Sequence, residues 1–351
     1  MDTRIDRSYL LGMLDKLLLA HAPPGSEAEV DTIVMEAVKP FADRVWQDAS
    51  GGIVVHVAGA DSSAPIAVTA HKDEIGLIVK RVEADGRLRV RPLGGLHPWA
   101  VGEGPVDILG RKGILPGVLS IGSKHVSEES PAGELKQGKP LKWEMMWVET
   151  KLPAETLKQA GVHPGTKVAV GRARKAPMVL NDFICGPNLD CRAGLAILIE
   201  TAKQLKASPP AQDVYLIATS EEEIGAQGAV YSVGKVPAET VIALDIAPVA
   251  EEYQTRNSGE PVLLYGDATG VYHEGANGHL EGLAAEMGFG VQRAVVTSYG
   301  SDASIARKAG VAGRSVCIGY PGENTHGYEI CAVDGILNSA RLLLAYLRKP
   351  L

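Results

Sequence analysis

Three adjacent glutamates follow an apolar segment that is typical of a buried strand. Residues 214–218 (VYLIA) have few polar interruptions, and Glu221, Glu222 and Glu223 come shortly after them. Adjacent carboxylates repel one another and burial raises their pKa values, so this position is costly unless a cation lies there. The segment therefore predicts either a metal site with a neighbouring general base, or the acidic N-terminus of a helix, which the helix dipole favours.

Strand-like and helix-like segments alternate on both sides of these glutamates. The apolar strand-like runs are 52–58, 66–70, 241–244, 291–296 and 315–318. The helical patterns are 8–20, 193–205, 280–287, 304–308 and 333–347. A further helix is predicted to begin at Ser26, because Ser26 and Glu29 have the spacing of a capping box. This alternation predicts an α/β fold with helices on both faces of the sheet.

Residues 77–176 have a different character. They are rich in glycine, proline and short β runs, with strand-like segments at 113–119, 143–149 and 166–170 and one helical segment at 154–160. Asp85-Gly86 between 80–83 and 87–90 is typical of a hairpin turn. The chain is therefore predicted to contain two domains: one formed by 1–76 and 177–351, and a mostly β insertion at 77–176.

The composition is that of an ordinary globular chain. Of 351 residues, 45% are hydrophobic and 22% charged, and the net charge is −7. No cluster of lysine and arginine stands out, so nucleic acid is not an expected partner. Asp15 and Lys16 interrupt the apolar stretch at 9–19, which argues against a signal peptide or membrane span. The four cysteines form no CxxC pair, and we expect reduced thiols and a cytoplasmic protein.

Other candidate ligands also stand at predicted strand ends, where open α/β sheets bind ligands. His71, Asp245 and His326 each follow a predicted strand, and Asp190 directly precedes a helix. The histidines could simply be hydrogen-bonded, and Asp190 could cap its helix. Asp245 is flanked by apolar residues, where a carboxylate needs a partner. Together with the glutamates these residues form a nitrogen and oxygen donor set suited to Zn²⁺, Co²⁺ or Mn²⁺, and Asp73 is placed to orient the imidazole of His71.

In these motifs the chain resembles the M42 metallo-aminopeptidases, members of a clan of dinuclear metallopeptidases. The matching segments are 70–76 (AHKDEIG), 189–194 (LDCRAG), 222–229 (EEIGAQGA), Asp245, 300–303 (GSDA) and His326. Their order and approximate spacing match over nearly the whole chain. The resemblance implies a mixed sheet flanked by helices, as in dinuclear zinc exopeptidases, with 77–176 as an inserted β-rich dimerisation domain.

The resemblance also implies a role for each matching residue. The implied ligands of two divalent metal ions are His71, Asp190, Glu223, Asp245 and His326. Asp190 would bridge the ions, and the division of the other ligands between them stays open. Glu222 would be the general base and Asp73 would support His71, while Ser301 and Asp302 are candidates for substrate contact.

The implied reaction is removal of the N-terminal residue from a peptide. Two metal ions lower the pKa of a water molecule, and Glu222 takes its proton and returns it to the leaving amine. The alternative is an amidohydrolase or deacylase acting on small N-acyl amino acids or modified dipeptides with the same metal site. Aromatic residues, at 5%, are too few for the sugar platforms of a glycanase, and no ligand or base is missing, as it would be in a non-catalytic scaffold.

Some positions near the site depart from the usual family pattern. Cys191 stands where a second aspartate is common, Ser301 stands where threonine is common, and the segment after His326 is 327–329 (GYE). These changes leave the chemistry intact but leave substrate preference open. Glu221 adds a charge that we expect to raise the pKa of Glu222. The resemblance further implies peptide substrates and a homodimer, often assembled into a hollow tetrahedral dodecamer.

Overall fold

A computed structural model describes residues 3–351, which form one large mixed sheet with flanking helices and one closed barrel. The strands are β1 (Arg44–Gln47), β2 (Ile53–Val57), β3 (Asp61–His71), β4 (Gly76–Val82), β5 (Leu88–Leu93), β6 (Gly104–Gly110), β7 (Gly113–Ser120), β8 (Trp147–Glu149), β9 (Lys167–Val170), β10 (Met178–Leu180), β11 (Phe183–Gly186), β12 (Gln212–Thr219), β13 (Thr240–Pro248), β14 (Val262–Gly266), β15 (Gln292–Val295), β16 (Arg314–Glu323) and β17 (Glu329–Ala332).

The helices connect these strands and cover the large sheet. They are α1 (Arg7–Leu19), α2 (Ala28–Val38), α3 (Pro98–Val101), α4 (Pro131–Lys136), α5 (Ala154–Gln159), α6 (Arg172–Lys175), α7 (Leu189–Ala207), α8 (Gln227–Val233), α9 (Glu274–Glu286), α10 (Asp302–Lys308) and α11 (Val333–Arg348). Short 3₁₀ helices occupy Trp143–Met145, Glu222–Ile224 and Glu251–Tyr253. Within residues 3–351, no helix has the length and apolar character needed to cross a membrane.

The large sheet has eleven strands in the order β1-β2-β12-β3-β13-β16-β17-β11-β10, with β14 paired to β16 and β15 paired to β14. Its centre is parallel, because β3 pairs in parallel with both β12 and β13, and β13 pairs in parallel with β16. The outer pairs, such as β1 with β2 and β16 with β17, are antiparallel. The predicted mixed α/β sheet is confirmed.

Alternating side chains of the central strands feed two cores, one on each face of the sheet. On β12, Leu216 and Ala218 join the core beneath α1, α2, α7, α9 and α11. Ile217, between them, joins the opposite core, to which α8 contributes Val233 and α10 contributes Ala306. The central strands are thus buried on both faces, and only their ends are free to form a site.

The second sheet is a closed six-stranded barrel in the order β4-β5-β8-β7-β6-β9. Its interior is a separate apolar core that includes Leu88, Ile108, Leu119, Val148 and Val168. Because the barrel strands run from Gly76 to Val170, they fit the predicted β-rich insertion. The predicted domain boundaries at 76/77 and 176/177, and a role in dimerisation, stay predictions.

Three local predictions were wrong. The helix predicted to begin at Ser26 begins at Ala28, and Glu29 does not close a capping box: its carboxylate accepts from the His21 amide and pairs with Arg172. Asp245 lies within β13 rather than after it, because parallel pairing with β16 continues to Pro248. Only the last part of 143–149 is a strand, since its first three residues form a 3₁₀ turn.

Candidate metal centre and active site

Five segments of the chain meet at one edge of the large sheet, where β3, β12 and β13 deliver polar side chains. His71 is the last residue of β3, Asp245 lies near the end of β13, and the 3₁₀ helix carrying Glu222 and Glu223 follows β12. The first turn of α7 and the connection from β16 to β17 supply the remaining two candidates, Asp190 and His326. The structure thus brings together every residue predicted as a metal ligand or as the base.

One group of potential ligands lies deep at this edge. The ligand atoms of His71, Asp190, Cys191 and Asp245 lie within 4.8 Å of one another, and all four residues are buried. Nε2 of His71 is 2.9 Å from Oδ1 of Asp190 and 3.9 Å from Oδ1 of Asp245. An imidazole nitrogen and two carboxylates are therefore arranged around one small volume.

A second group lies beside the first and shares Asp190 with it. Asp190, Glu223 and His326 also have ligand atoms within 4.8 Å of one another. Nε2 of His326 is 3.4 Å from Oδ2 of Asp190 and 3.5 Å from Oε2 of Glu223. The two carboxylate oxygens of Asp190 therefore face two different histidines, one from each group.

Glu329, for which the sequence motifs predict no role, fixes the two segments that carry Asp190 and His326. Its Oε2 accepts from the Asp190 amide at 3.0 Å, and its Oε1 accepts from the His326 amide at 3.1 Å. His326 has a left-handed backbone (φ 61°), so the carboxylate holds a conformation that is otherwise unfavourable. Because Glu329 follows His326 by three residues, its contact with the His326 amide could have been predicted from the sequence. Its contact with Asp190 could not, because Asp190 is distant in sequence.

Asp73 is fully buried and holds the segment that carries the glutamates. Its two carboxylate oxygens accept from the backbone amides of Glu222 at 2.9 Å and Glu223 at 3.1 Å. Asp73 also lies beside His71, whose Nδ1 is 3.2 Å from the Asp73 backbone oxygen and 3.6 Å from its Oδ1. It is thus placed to orient both the histidine and the acidic turn.

Crowding of carboxylates in this buried volume shifts their pKa values. Burial, followed by repulsion from Asp245, Asp302 and Glu223, raises the pKa of Glu222 well above its ordinary value despite attraction to His71. Burial, opposed by His326 and reinforced by Asp190, raises the pKa of Glu223 to about 7. The site is therefore short of positive charge, which a cation would supply.

The pKa of Asp190 moves in the opposite direction from those of its neighbours. Burial favours its neutral form, but hydrogen bonds from His326 and His71 outweigh burial and lower the pKa of this carboxyl. Burial likewise lowers the pKa of His326, yet Asp190 and Glu223 outweigh it and raise that pKa to about 10. Asp190 is therefore the carboxylate most strongly held in its charged, metal-binding form.

Ser301 and Asp302, the candidates for substrate contact, are buried and are not among the residues that line the cavity. The hydroxyl of buried Ser301 caps α10, and it lies 2.8 Å from the hydroxyl of Tyr272. Asp302 accepts a 2.6 Å hydrogen bond from Thr219 and has an oxygen without a hydrogen-bond partner. Neighbouring residues such as Tyr299 line the cavity, and direct substrate contact by Ser301 and Asp302 stays a prediction.

Glu221 lies beside the site rather than in it. Its carboxylate lies next to the backbone of Gly25, and its amide donates to Glu27. The repulsion that contributes most to the raised pKa of Glu222 comes from Asp245, Asp302 and Glu223 rather than from Glu221. The acidic triplet thus contains one candidate ligand, one candidate base and one peripheral charge.

The two ligand groups form the floor of a cavity of about 700 Å³. Its walls include Glu252, Tyr253, Tyr299 and Ile305, and among residues 3–351 no lysine or arginine lines it. Imidazole nitrogens and carboxylate oxygens around an open cavity fit Zn²⁺, Co²⁺ or Mn²⁺ and leave room for a substrate. The donor chemistry of these residues therefore suits a divalent metal ion.

An α/β sheet that carries imidazole and carboxylate donors at its edge, with Glu222 outside both ligand groups, is typical of a metal-dependent hydrolase. The family described as M42 glutamyl aminopeptidase matches residues 51–342. Lysyl aminopeptidase of Pyrococcus furiosus is 31% identical over 216 residues, which are 61% of this chain and 59% of that protein. The chain belongs to the M42 family of aminopeptidases, which depend on divalent metal ions.

Solved structures share the whole fold at low sequence identity. The aminopeptidase of the archaeon Desulfurococcus kamchatkensis has a TM-score of 0.89 and 24% identity, covering 98% of this chain and 95% of that one. The TET1 peptidase of Pyrococcus horikoshii, which can assemble into a tetrahedron or a large octahedral shell, has a TM-score of 0.86 and 23% identity, covering 97% and 99%. Nothing in these comparisons favours the amidohydrolase alternative.

Proposed function

We propose that this aminopeptidase works with two divalent metal ions bridged by Asp190. His71 and Asp245 would complete the ligands of one ion, and Glu223 and His326 those of the other. The observation that carries this proposal is the position of Asp190, whose two oxygens lie 2.9 Å from His71 Nε2 and 3.4 Å from His326 Nε2. When bound, the ions would activate a water molecule and polarise the scissile carbonyl.

Glu222 is the proposed general base. It belongs to neither ligand group, and its Oε2 lies 4.0 Å from His71 Nε2, at the floor of the cavity. From there its carboxylate accepts a proton from the attacking water and returns it to the leaving amine. Asp73 keeps this carboxylate in place through the amide of Glu222 and limits the movement of His71.

The preferred N-terminal residue is proposed to be basic. Glu252 lines the cavity, and it makes no hydrogen bond or ion pair with another residue in the part of the chain described by the structure. A lysine or arginine side chain would meet this carboxylate without any competing cation on the cavity wall. The name of the lysyl aminopeptidase among the relatives agrees with this preference.

The remaining properties follow the family resemblance. The metals are proposed to be Zn²⁺, Co²⁺ or Mn²⁺, which suit imidazole and carboxylate ligands. The barrel is proposed as a dimerisation domain, and the assembly as a homodimer or a tetrahedral dodecamer, with the assembly of the P. horikoshii peptidase in support. Peptides are the proposed substrates, and the cytoplasm the proposed location.

The test uses metal-free protein reloaded with each of the three metals. Aminoacyl anilides of lysine, leucine and glutamate are compared with their N-acetylated forms, and bound metal is counted by mass spectrometry. We expect about two ions per chain and hydrolysis of the free-amine substrates only. Hydrolysis of the acetylated forms alone would favour the amidohydrolase alternative, and no hydrolysis of any free-amine substrate with any metal would overturn the proposal.

A further inference from the structure

A second cavity, on the barrel, carries an excess of positive charge. It has a volume of about 1100 Å³ and is formed by β4, β5, residues 94–98 and residues 141–146. Its cationic lining residues are Lys80, Arg81, Arg89, Arg91 and Lys142. In the described part of the chain, residues 3–351, Glu144 is the only carboxylate that lines it. This concentration is notable in a chain whose net charge is −7.

Three of these cations are free to meet a ligand. Arg81 and Arg89 are already paired with Glu83, at 2.6 Å and 3.3 Å. Lys80, Arg91 and Lys142 are exposed, and within residues 3–351 none of them forms an ion pair. A cavity with several unpaired cations fits an anion with more than one negative group.

The cationic cavity and the metal-site cavity share a wall. Gly95 and His97 line both cavities. A side chain at Gly94 would come within 3.1 Å of Glu223 Oε2, and one at Gly95 within 2.9 Å of His326 Nδ1. Where this wall approaches the candidate metal ligands, its residues are therefore glycines, which contribute only backbone atoms.

Hydrogen bonds hold this wall between the two cavities. The Gly95 carbonyl lies 3.2 Å from His326 Nδ1, and the Leu96 carbonyl accepts from the Trp143 indole at 3.0 Å. Trp143 itself lines the cationic cavity. The wall thus joins a candidate metal ligand on one side to the cationic cavity on the other.

We propose that the cationic cavity binds carboxylates of the substrate on the C-terminal side of the scissile bond. This inference rests on the proposed function, which places the substrate N-terminus at the metal site. An extended peptide advances about 3.3 Å per residue, and the two cavities share Gly95 and His97 in their linings, so the C-terminal residues of a substrate are placed to reach the cationic cavity. The carboxylate could belong to an acidic side chain or to the C-terminus of a short peptide.

The test compares peptides that differ only in downstream charge. Lys-Ala-Ala-Ala amide carries no carboxylate, Lys-Ala-Ala-Ala carries only the terminal one, and Lys-Ala-Glu-Glu amide carries only side-chain carboxylates. We expect kcat/KM to be about three- to tenfold higher for at least one carboxylate-bearing peptide than for the neutral amide, mainly through KM. The two carboxylate-bearing peptides distinguish the source, and added salt should reduce the preference.

The variant Arg91→Gln with Lys142→Gln should remove most of this preference. Arg111→Gln with Lys112→Gln is the matched control, because it removes two exposed charges at the β6–β7 turn, away from the cavity, and should keep the preference. Equal kcat/KM for all three peptides in the unmodified enzyme would overturn the inference. An unchanged preference in the cavity variant would also overturn it. A loss of assembly in the cavity variant, measured by light scattering, would assign the cavity to a subunit contact and overturn the inference as well.

Failure of the inference and failure of the proposed function give different results. An enzyme that hydrolyses lysyl anilide but ignores downstream charge contradicts only the cationic binding site. An enzyme that hydrolyses no free-amine substrate contradicts the proposed function itself. The anilide assay therefore precedes the peptide series.

Discussion

The two cavities that share Gly95 and His97 in their linings use charge in opposite ways. At the metal site, buried and half-buried carboxylates and histidines from five segments lie within a few ångströms of one another, so they alter one another's pKa values. On the barrel, exposed lysines and arginines keep their contact with water. The difference teaches that a resident cation would relieve the repulsion within the first charge cluster, whereas the second cluster stays hydrated until an anion binds.

The largest expected effect separates the base from the ligands within the metal site. Glu222→Gln should lower kcat by about 10²–10⁴-fold, because the variant cannot accept the proton of the attacking water. Its metal content should remain that of the unmodified enzyme, since Glu222 belongs to neither ligand group. Steady-state kinetics and metal analysis by mass spectrometry measure the two properties separately.

Glu223→Gln is the companion variant, because it changes the adjacent residue with the same chemistry. It should lose metal as well as activity, since Glu223 is in the second ligand group. If Glu222→Gln lost metal and activity to an equal extent, the assignment of Glu222 as base would be incorrect. The pair would then show that both glutamates act as ligands.

The comparison between buried and exposed charge extends to the junction of the barrel and the large sheet. Lys175 in α6 is fully buried and donates to both oxygens of Glu74, at 2.7 Å and 2.6 Å, and to the Ala20 carbonyl. Lys175→Met would leave the Glu74 carboxylate buried without its principal cation. We expect a loss of about 3–5 kcal/mol in the free energy of unfolding, measured in urea.

An exposed ion pair on the same helix provides the control. Arg172 pairs with Glu29 at 3.0 Å, and both side chains are more than one-third exposed. Arg172→Gln should therefore cost no more than about 1 kcal/mol. Equal effects of the two substitutions would contradict the view that burial determines how strongly these charges are coupled to the fold.

A smaller effect concerns the stability of the metal-free protein. The pKa of Glu223 rises from 4.5 to about 7 on folding, so between these pH values the folded state holds more protons than the unfolded state. The free energy of unfolding contributed by this group therefore falls as pH rises from 4.5 to 7, and the contribution is fully present only below that interval. Thermal unfolding in chelator should show a smaller decrease in Tm over this interval for Glu223→Gln than for the unmodified protein.

Zn²⁺ should raise Tm most at the upper end of the same pH interval, because there the metal no longer competes with the Glu223 proton. Glu36→Gln, which changes an exposed glutamate of α2, is the control and should leave the pH dependence unchanged. An identical pH dependence in Glu223→Gln and the unmodified protein would contradict the raised pKa.

Sequence alone predicted the metal site better than the cationic cavity, for a physical reason. Parallel strands bring their carboxyl ends to one edge, so local strand patterns were enough to place His71, Asp245 and the glutamates together. The cationic cavity depends on antiparallel closure of the barrel, which joins Arg91 to Lys142 across about fifty residues. No cluster of basic residues in the sequence indicates this cavity.

Local signals also failed where distant groups decided the outcome. The spacing of Ser26 and Glu29 predicted a capping box, but the Glu29 carboxylate is engaged by His21 and Arg172. The role of Glu329 was missed because one of its two partners, Asp190, is 139 residues away in sequence. Motif resemblance supplied the site residues, and only the fold supplied the contacts that hold them.

The smallest expected effect tests whether the acidic cavity selects substrates by charge as the cationic one is proposed to do. Glu252→Gln should lower kcat/KM for lysyl anilide by about two- to fivefold relative to leucyl anilide, because it removes one exposed carboxylate from the wall. Glu251→Gln, in the same 3₁₀ turn but outside the cavity lining, should leave this ratio unchanged. If Glu252→Gln and the unmodified enzyme had the same ratio of kcat/KM for lysyl and leucyl anilides, Glu252 would have no part in substrate selection. Selection by charge would then depend on the cationic cavity alone.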